Sequence, residues 1–215
     1  MTITDLITQV RNQYNATGDT FFSDAEIIQY FYEGCLQLAR ECYLIESTNS
    51  LVPTVIGTQT YSVPTYSLAI KRLTYNGQHL KLIDFRDDDV LTSLNQDITS
   101  QGTPVYFAIF NRQVYLRPIP DAVQNLKFFT FNEPVPLTSS STLEIPTQFH
   151  PSLIPYSLSK MYAKDKDFNG HGVYNTIWEN EKLQAKKWAK KMRRGDAFAV
   201  VKSEEDVAET ILGYV

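Results

Sequence analysis

The segment Asp165-Lys166-Asp167-Phe168-Asn169-Gly170 has the residue spacing of a metal-binding loop. Oxygen-bearing side chains alternate along it and a glycine occupies the sixth position, as in the first half of a calcium-binding EF-hand loop. The twelfth position of such a loop is a glutamate that binds calcium through both oxygens, and here it is Thr176. The incomplete ligand set favours a polar turn between two helices, with calcium binding as the alternative.

Other residue types that support catalysis are present but are not grouped. His79, His150 and His171 are far apart in the sequence and follow no metal-binding spacing. Asp87-Asp88-Asp89 could hold a metal, but acidic residues are also typical of a first helical turn. No nucleophile elbow, phosphate-binding glycine loop or dinucleotide fingerprint occurs. We therefore predict a protein that is not an enzyme, with no metal and no cofactor, although a triad can assemble from distant residues.

Positive charge is concentrated near the end of the last long helix. Residues 150–194 have a net charge of about +6, whereas residues 1–149 carry about −6 and residues 195–215 about −4. The cluster comprises Lys186, Lys187, Lys190, Lys191, Arg193 and Arg194. These side chains could face the phosphates of DNA. The alternative is an ordinary surface helix whose basic end compensates the helix dipole.

The last 21 residues, 195–215, combine acidic and apolar side chains after a helix stop at Gly195. A short apolar run is followed by a brief amphipathic helix that opens at Ser203. The residues that could dock on a partner are Phe198, Val200, Val201, Val207, Ile211, Leu212 and Tyr214. Two interpretations stand: a docking arm, or a segment that folds back onto the protein.

Periodicity predicts helices at both ends of the chain. We expect a helix from about Thr4 to Asn15 and a second one that begins with a capping box at Ser23 and Glu26. The apolar stripe of the second helix is Ile27, Phe31, Cys35, Leu38 and Cys42. Helices resume near Pro151, and the last one is expected to begin near Tyr174. Its predicted stripe is Tyr174, Ile177, Trp178, Ala185, Trp188 and Met192.

Between the helices, short alternating runs predict antiparallel strands. Asn76-Gly77 is typical of a tight hairpin turn between Leu73-Thr74-Tyr75 and Leu80-Lys81-Leu82. A second hairpin is expected around Asn111-Arg112-Gln113, a further strand at residues 128–131 and a short helix at residues 84–94. The predicted fold class is α+β: a bundle of two N-terminal and two C-terminal helices with an inserted antiparallel β-rich domain and a C-terminal tail. The expected domains are 1–44, 45–148, 149–194 and 195–215.

The chain carries no sign of export or membrane insertion. No uncharged apolar run approaches the roughly 20 residues that span a bilayer, and the N-terminus lacks the pattern of a signal peptide. Cys35 and Cys42 lie seven positions apart in one predicted helix, too far for a disulfide. We expect a protein that stays in the cytoplasm where it is made, without a membrane partner.

The order of these elements resembles that of the head-to-tail adaptor (connector) proteins of tailed bacteriophages. The resemblance covers about residues 5–190 and starts with the capped helix that carries Ile27, Phe31 and Leu38. It continues through Gly57-Thr58-Gln59-Thr60-Tyr61-Ser62-Val63-Pro64, Tyr75-Asn76-Gly77 with Leu80, Gly102-Thr103-Pro104-Val105-Tyr106, Leu116-Arg117-Pro118-Ile119-Pro120-Asp121, and Ile145-Pro146 with Phe149-His150 and Leu153.

This resemblance implies a structural virion protein, made in the host bacterial cytoplasm. It implies a ring of identical subunits, often twelve, that sits beneath the portal protein, contacts tail or nozzle proteins and surrounds the path of double-stranded DNA. The C-terminal segment would make the portal contacts. Two other functions remain open: a β module of a tail component that binds a ligand or the host surface, and a hydrolase that acts on the bacterial wall.

Overall fold

The computed structural model describes residues 1–15, 21–48, 51–85 and 100–193. It contains helices and β-sheets, which confirms the α+β class. Two compact units are present: a helical unit, Met1–Leu44 with Pro136–Val215, and a β unit, Ile45–Val135. Asp87-Asp88-Asp89, most of the helix expected at residues 84–94 and the C-terminal tail lie outside the described residues.

The helical unit begins with α1 (Ile3–Tyr14) and α2 (Asp24–Cys42). Thr2 and Asp5 form a complete capping box at the start of α1, a pattern that the sequence analysis did not use. At α2 only half of the predicted box forms. The Ser23 hydroxyl accepts the amide hydrogen of Glu26, but the Glu26 carboxylate accepts hydrogen bonds from Tyr30 and Lys164 instead of the capping amide.

The predicted stripe of α2 is confirmed, since all five of its residues are buried. It packs against α3 (Leu153–Lys164) and α4 (Phe168–Arg193). Gly34 allows the close approach of α3, because a Cβ at this position would lie 3.0 Å from Leu153 and 3.2 Å from Tyr156. Trp178 of α4 fills the same core, and its indole N–H donates to Gln37 of α2 at 3.2 Å.

Helix α4 begins at Phe168, so the predicted start near Tyr174 is wrong by nearly two turns. The Asp167 carboxylate accepts the amide hydrogens of Asn169 and Gly170 at 3.1 and 3.0 Å, which stabilises the first turn. Gly170 therefore lies inside a helix and not at the bend of a calcium loop. It faces Tyr162 of α3, whose ring leaves no room for a Cβ.

The buried face of α4 is formed by Trp178, Ala185 and Ala189. The predicted stripe is therefore correct for Trp178 and Ala185 but wrong for Ile177, which is 41% exposed. Trp188 packs edge-on against Phe149 with ring centroids 5.4 Å apart.

The described residues of the β unit form two main sheets and one short pair of strands. The strands are β1 (Glu46–Ser47), β2 (Leu51–Pro53), β3 (Thr60–Ser62), β4 (Ser67–Tyr75), β5 (Gln78–His79), β6 (Lys81–Leu82), β7 (Gln101–Gly102), β8 (Tyr106–Phe110), β9 (Gln113–Arg117), β10 (Ile119–Pro120) and β11 (Asn125–Asn132). The first sheet has the order β1-β11-β4-β5, with β2 also paired to β11. The second has the order β3-β9-β8-β6, and β7 pairs with β10. Leu73, Leu80, Leu116, Leu126 and Phe128 are fully buried in a shared core.

Both predicted hairpins are confirmed, each with a two-residue turn. Asn76 and Gly77 have φ values of 48° and 80°, and Asn111 and Arg112 have values of 47° and 57°. The second strand of the first hairpin is β5, and the Leu80 amide continues it by donating to the Leu73 carbonyl at 2.9 Å. The prediction is wrong only for Lys81 and Leu82, which leave the hairpin. The β6 strand instead pairs in parallel with β8, and β7 pairs in parallel with β10, so the unit is not purely antiparallel.

Candidate functional site

The basic end of α4 presents lysines that are not neutralised by their neighbours. Lys186, Lys187, Lys190 and Lys191 are exposed, and none of them has a hydrogen bond or ion pair with another described residue. They span about 140° of the helix circumference at 3.6 residues per turn. This arc lies opposite the buried face of α4, so the four ammonium groups form one positive surface.

The other predicted cations differ from these four. Arg193 donates a hydrogen bond to the carbonyl oxygen of Cys42 at 3.1 Å, and its guanidinium lies 5.7 Å from the Tyr43 ring centroid. It therefore satisfies a free carbonyl at the end of α2, which is a structural role. Arg194 lies outside the described residues.

Lys182, one turn before the lysine surface, is fully engaged by acids. Its ammonium group lies 3.1 Å from Glu41 and 2.9 Å from Glu179. Burial lowers the pKa of Lys182, but its hydrogen bonds to the two carboxylates outweigh burial and raise the pKa overall. Along α4, the ion-paired Lys182 is therefore followed by four lysines that have no ion pair with a described residue.

Among the described residues of the helical unit, one contact resembles that of a nucleophile and its base. The Ser159 hydroxyl lies 2.9 Å from Nδ1 of His171. Nδ1 is also 3.0 Å from the Ser159 carbonyl oxygen, which can only accept a hydrogen bond. In the tautomer whose Nδ1–H donates to this carbonyl oxygen, the ring cannot take a proton from the hydroxyl, and the pair ties α3 to α4. No group of three or more metal-ligating side chains occurs among residues 1–15, 21–48, 51–85 and 100–193.

The outer face of the first sheet carries a cationic and aromatic cluster that the sequence analysis missed. Phe129 lies between Arg72, whose guanidinium carbon is 4.2 Å from the ring centroid, and Lys127, whose ammonium nitrogen is 5.0 Å away. An adjoining cavity of about 390 Å³ is lined partly by Arg72 and Phe129, and an ion pair between Lys71 and Glu46 lies at its border. The cluster could have been predicted from the pairing of Arg72 with Phe129 across β4 and β11, but that pairing is known only once the register of the two strands is known.

The seven residues predicted to dock on a partner, from Phe198 to Tyr214, lie outside the described residues. In the part of the chain that the structure describes, none of the helices is both long and apolar enough to cross a membrane.

Comparison with known proteins provides the family. A family model described as SU10 adaptor protein matches residues 1–208. The chain belongs to this family. The SU10 adaptors are head-to-tail adaptors of phages, so the resemblance inferred from the sequence is confirmed. No curated protein matches the chain at a significant level.

Membership in the SU10 adaptor family assigns a structural role to the protein. The family implies a component of the phage virion at the junction of head and tail. It also implies contacts with portal and tail components and association into an oligomer. These are functions of surfaces, and the described residues offer the lysine surface of α4 and the faces of the β unit for such contacts.

Proposed function

We propose that the protein forms a ring of twelve identical subunits between the portal and the tail, and that this ring surrounds the channel through which DNA leaves the head. The observation that carries the proposal is the family match, which covers residues 1–208 of a 215-residue chain. A ring of identical subunits requires broad contact surfaces on each subunit.

The lysine surface of α4 faces the DNA in this proposal. The support is electrostatic: four exposed ammonium groups on one arc lack acidic partners among the described residues. Phosphate contacts by such groups are independent of sequence and weaken steeply with salt, which suits DNA that must move through a channel. Arg193 contributes less, since it is bound to the end of α2.

Residues 195–215 form the arm that docks on the portal in this proposal. The support is their composition, apolar positions bracketed by acids, and the place of C-terminal segments in the adaptor resemblance. Phe198, Val200, Val201, Val207, Ile211, Leu212 and Tyr214 would supply the apolar contacts. The helices of 1–44 and 149–194 and the insert of 45–148 would remain as the body of the ring.

The ring is tested by co-purification with the portal protein of the same phage, followed by native mass measurement. We expect a portal complex that carries twelve adaptors, and no complex when residues 196–215 are deleted. A full-length protein that stays monomeric beside the portal would refute the ring. A truncated protein that binds the portal as well as the full chain would refute the docking arm alone.

The DNA contact is tested by replacing Lys186, Lys187, Lys190 and Lys191 with glutamine and measuring duplex DNA binding against salt concentration. Each lost phosphate contact lowers the slope of log affinity against log salt by about 0.9, so the change should be about 3 to 4 if all four lysines bind. The matched control replaces three cations of the β unit outside the cluster at Phe129, namely Lys71, Lys81 and Arg112, and is compared with the triple variant of Lys186, Lys187 and Lys190. An equal loss in both variants would mean that net charge, and not the α4 surface, determines binding.

A second candidate function, a ligand-binding β module, is favoured by the cavity beside Phe129. Two cations converge on this ring with no acidic partner among the described residues, which suits an anionic ligand with an apolar part. Replacing Arg72 and Lys127 with glutamine should leave ring assembly intact but reduce virus adsorption to host cells if the module binds the host surface. Unchanged adsorption would eliminate this candidate.

A further inference from the structure

Two separate groups of apolar side chains are exposed on the β unit. The edge patch consists of Leu82, Phe85, Ile109 and Phe110, with exposed fractions of 63, 36, 40 and 54%. Ile109 and Phe110 are successive residues of β8 and project to opposite faces of the sheet, so the patch extends around the sheet edge. Its aromatic part is ordered by stacking of Phe85 on Phe110, with centroids 4.9 Å apart. The loop patch consists of Val55, Ile56 and Val123, with exposed fractions of 58, 55 and 61%.

Hydrogen bonds hold the loop patch together. The Thr54 amide donates to the Gln124 carbonyl at 2.8 Å, the Thr54 hydroxyl donates to the Ala122 carbonyl at 3.1 Å, and the Gly57 amide donates to the Pro120 carbonyl at 2.9 Å. These bonds fix the loop before β3 against the loop before β11. The three apolar side chains are therefore presented by a braced pair of loops.

The two patches lie on separate parts of the β unit. The edge patch lies on β6, β8 and the residues that follow β6, whereas the loop patch lies on the residues that lead into β3 and β11. With the order β3-β9-β8-β6, the two edge strands are about 14 Å apart at 4.8 Å per strand. The backbone of Leu82 also faces outward, because the amides of Lys81 and Ile83 are the ones that bond to β8.

We propose that these patches are the two halves of one contact between neighbouring copies of the chain, in which the edge patch of one subunit packs on the loop patch of the next. A closed ring needs a head-to-tail contact that joins two different surfaces of the same subunit. The edge patch and the loop patch are such a pair of different surfaces. The inference rests on the proposed ring and adds the residues that close it.

The exposed area is sufficient for such a contact. At about 170 Å² for a large apolar side chain, each patch exposes roughly 300 Å² and the pair roughly 600 Å². Interfaces are about 60% apolar, so this corresponds to a total of about 1,000 Å², the lower limit for a specific interface. Every subunit would make two such contacts in a ring, which doubles the area that holds it in place.

The test is thiol cross-linking of adaptors assembled on the portal. Phe110→Cys and Ile56→Cys variants are prepared separately, mixed, assembled and treated with a short bismaleimide. The natural thiols are suitable for this background, because Cys35 and Cys42 are buried and burial raises the pKa of Cys35 to about 12. We expect dimers from the mixture, and a ladder up to the full ring from the double variant. Phe110→Cys mixed with Gln78→Cys, which is exposed outside both patches, serves as the control and should not cross-link.

Three results would overturn the inference while leaving the proposed ring intact. The first is a complete wild-type ring in which this pair of cysteines does not cross-link. The second is cross-linking of Phe110→Cys only to itself, which indicates a symmetric dimer contact. The third is a Phe110→Ser variant that lowers the thermal stability of the unassembled protein and assembles normally, because the patch would then be covered within its own chain. Failure of the wild-type protein to assemble on the portal would overturn the proposed function, and this inference with it.

Discussion

Gly170 and Gly172 provide a matched pair of substitutions that tests the packing of α3 on α4. Both lie in the first turns of α4, and the same change to alanine can be made at each. A Cβ at Gly170 would lie 2.6 Å from Cδ1 and 2.8 Å from Cγ of Tyr162, whereas a Cβ at Gly172 would have no atom within 4 Å. The Tyr162 ring cannot move aside easily, because it stacks on Tyr174 at 5.3 Å and packs on Tyr14 at 4.7 Å.

The two variants should therefore differ in stability. Alanine in place of glycine inside a helix stabilises by about 1 kcal/mol, which is the expected gain for Gly172→Ala. The same gain applies at Gly170, but overpacking against the Tyr162 ring costs about 1 to 3 kcal/mol. Gly170→Ala should thus be less stable than Gly172→Ala by about 1 to 3 kcal/mol.

Tryptophan fluorescence during urea unfolding measures this difference in stability for the helical unit. Both tryptophans of the chain, Trp178 and Trp188, lie in α4, so the signal reports the helical unit. The Tyr162→Leu variant lacks the ring that a Cβ at Gly170 would meet. Adding Gly170→Ala to this variant should therefore cost less stability than Gly170→Ala costs in the wild-type protein. If Gly170→Ala is stabilised as much as Gly172→Ala, the close contact between α3 and α4 is wrong.

Three further substitutions test caps, turns and an ion pair. Ser23→Ala removes the acceptor for the Glu26 amide and should cost about 1 kcal/mol in urea unfolding; an unchanged midpoint would contradict the cap. Arg112→Gly relieves a φ of 57° in the β8–β9 turn, so the thermal unfolding temperature of the β unit should rise, by the equivalent of about 1 kcal/mol. Hydrogen bonds from Lys164 and Tyr30 hold the pKa of the Glu26 carboxyl below 4.5, so their stabilisation is present above pH 4.5 and is lost as the pH falls through the folded-state value. Glu26→Gln should therefore be less stable than the wild type at neutral pH, and the two should converge in acid; a constant difference would contradict the shift.

The sequence predicted those parts of the fold that depend on regular local patterns. The stripe of α2 repeats at intervals of three and four, and asparagine next to glycine marks a turn by its tolerance of positive φ. The start of α4 was missed because its two early glycines disfavour a helix locally. Gly170 is accommodated there by Tyr162 of another helix, a contact that no local pattern contains. The parallel pairing of β6 with β8 was missed for the same reason, since it joins residues separated by a long stretch of chain.

The candidate surfaces were predictable to different degrees. The lysines of α4 are visible as a cluster, but only the structure separates the free lysines from Arg193, which binds the end of α2. The cluster at Phe129 depends on the register of β4 and β11, and the two apolar patches depend on which strands form the sheet edges. A cluster of charged residues can be identified from the sequence, whereas the position of a surface patch in the β unit depends on which strands pair.

The discontinuous helical unit has a consequence for synthesis on the ribosome. Arg193 bonds to Cys42, 151 positions earlier, so α1 and α2 must wait for the end of the chain before their core is complete. At about 5 to 20 residues per second this delay is roughly 8 to 30 s. The β unit is contiguous in the sequence and can fold during that interval. Its folding shortens the effective chain separation between α1 and α2 and the later helices, α3 and α4, that complete their core. A circular permutant that joins the two ends and opens the chain within the β unit would reverse this order of events.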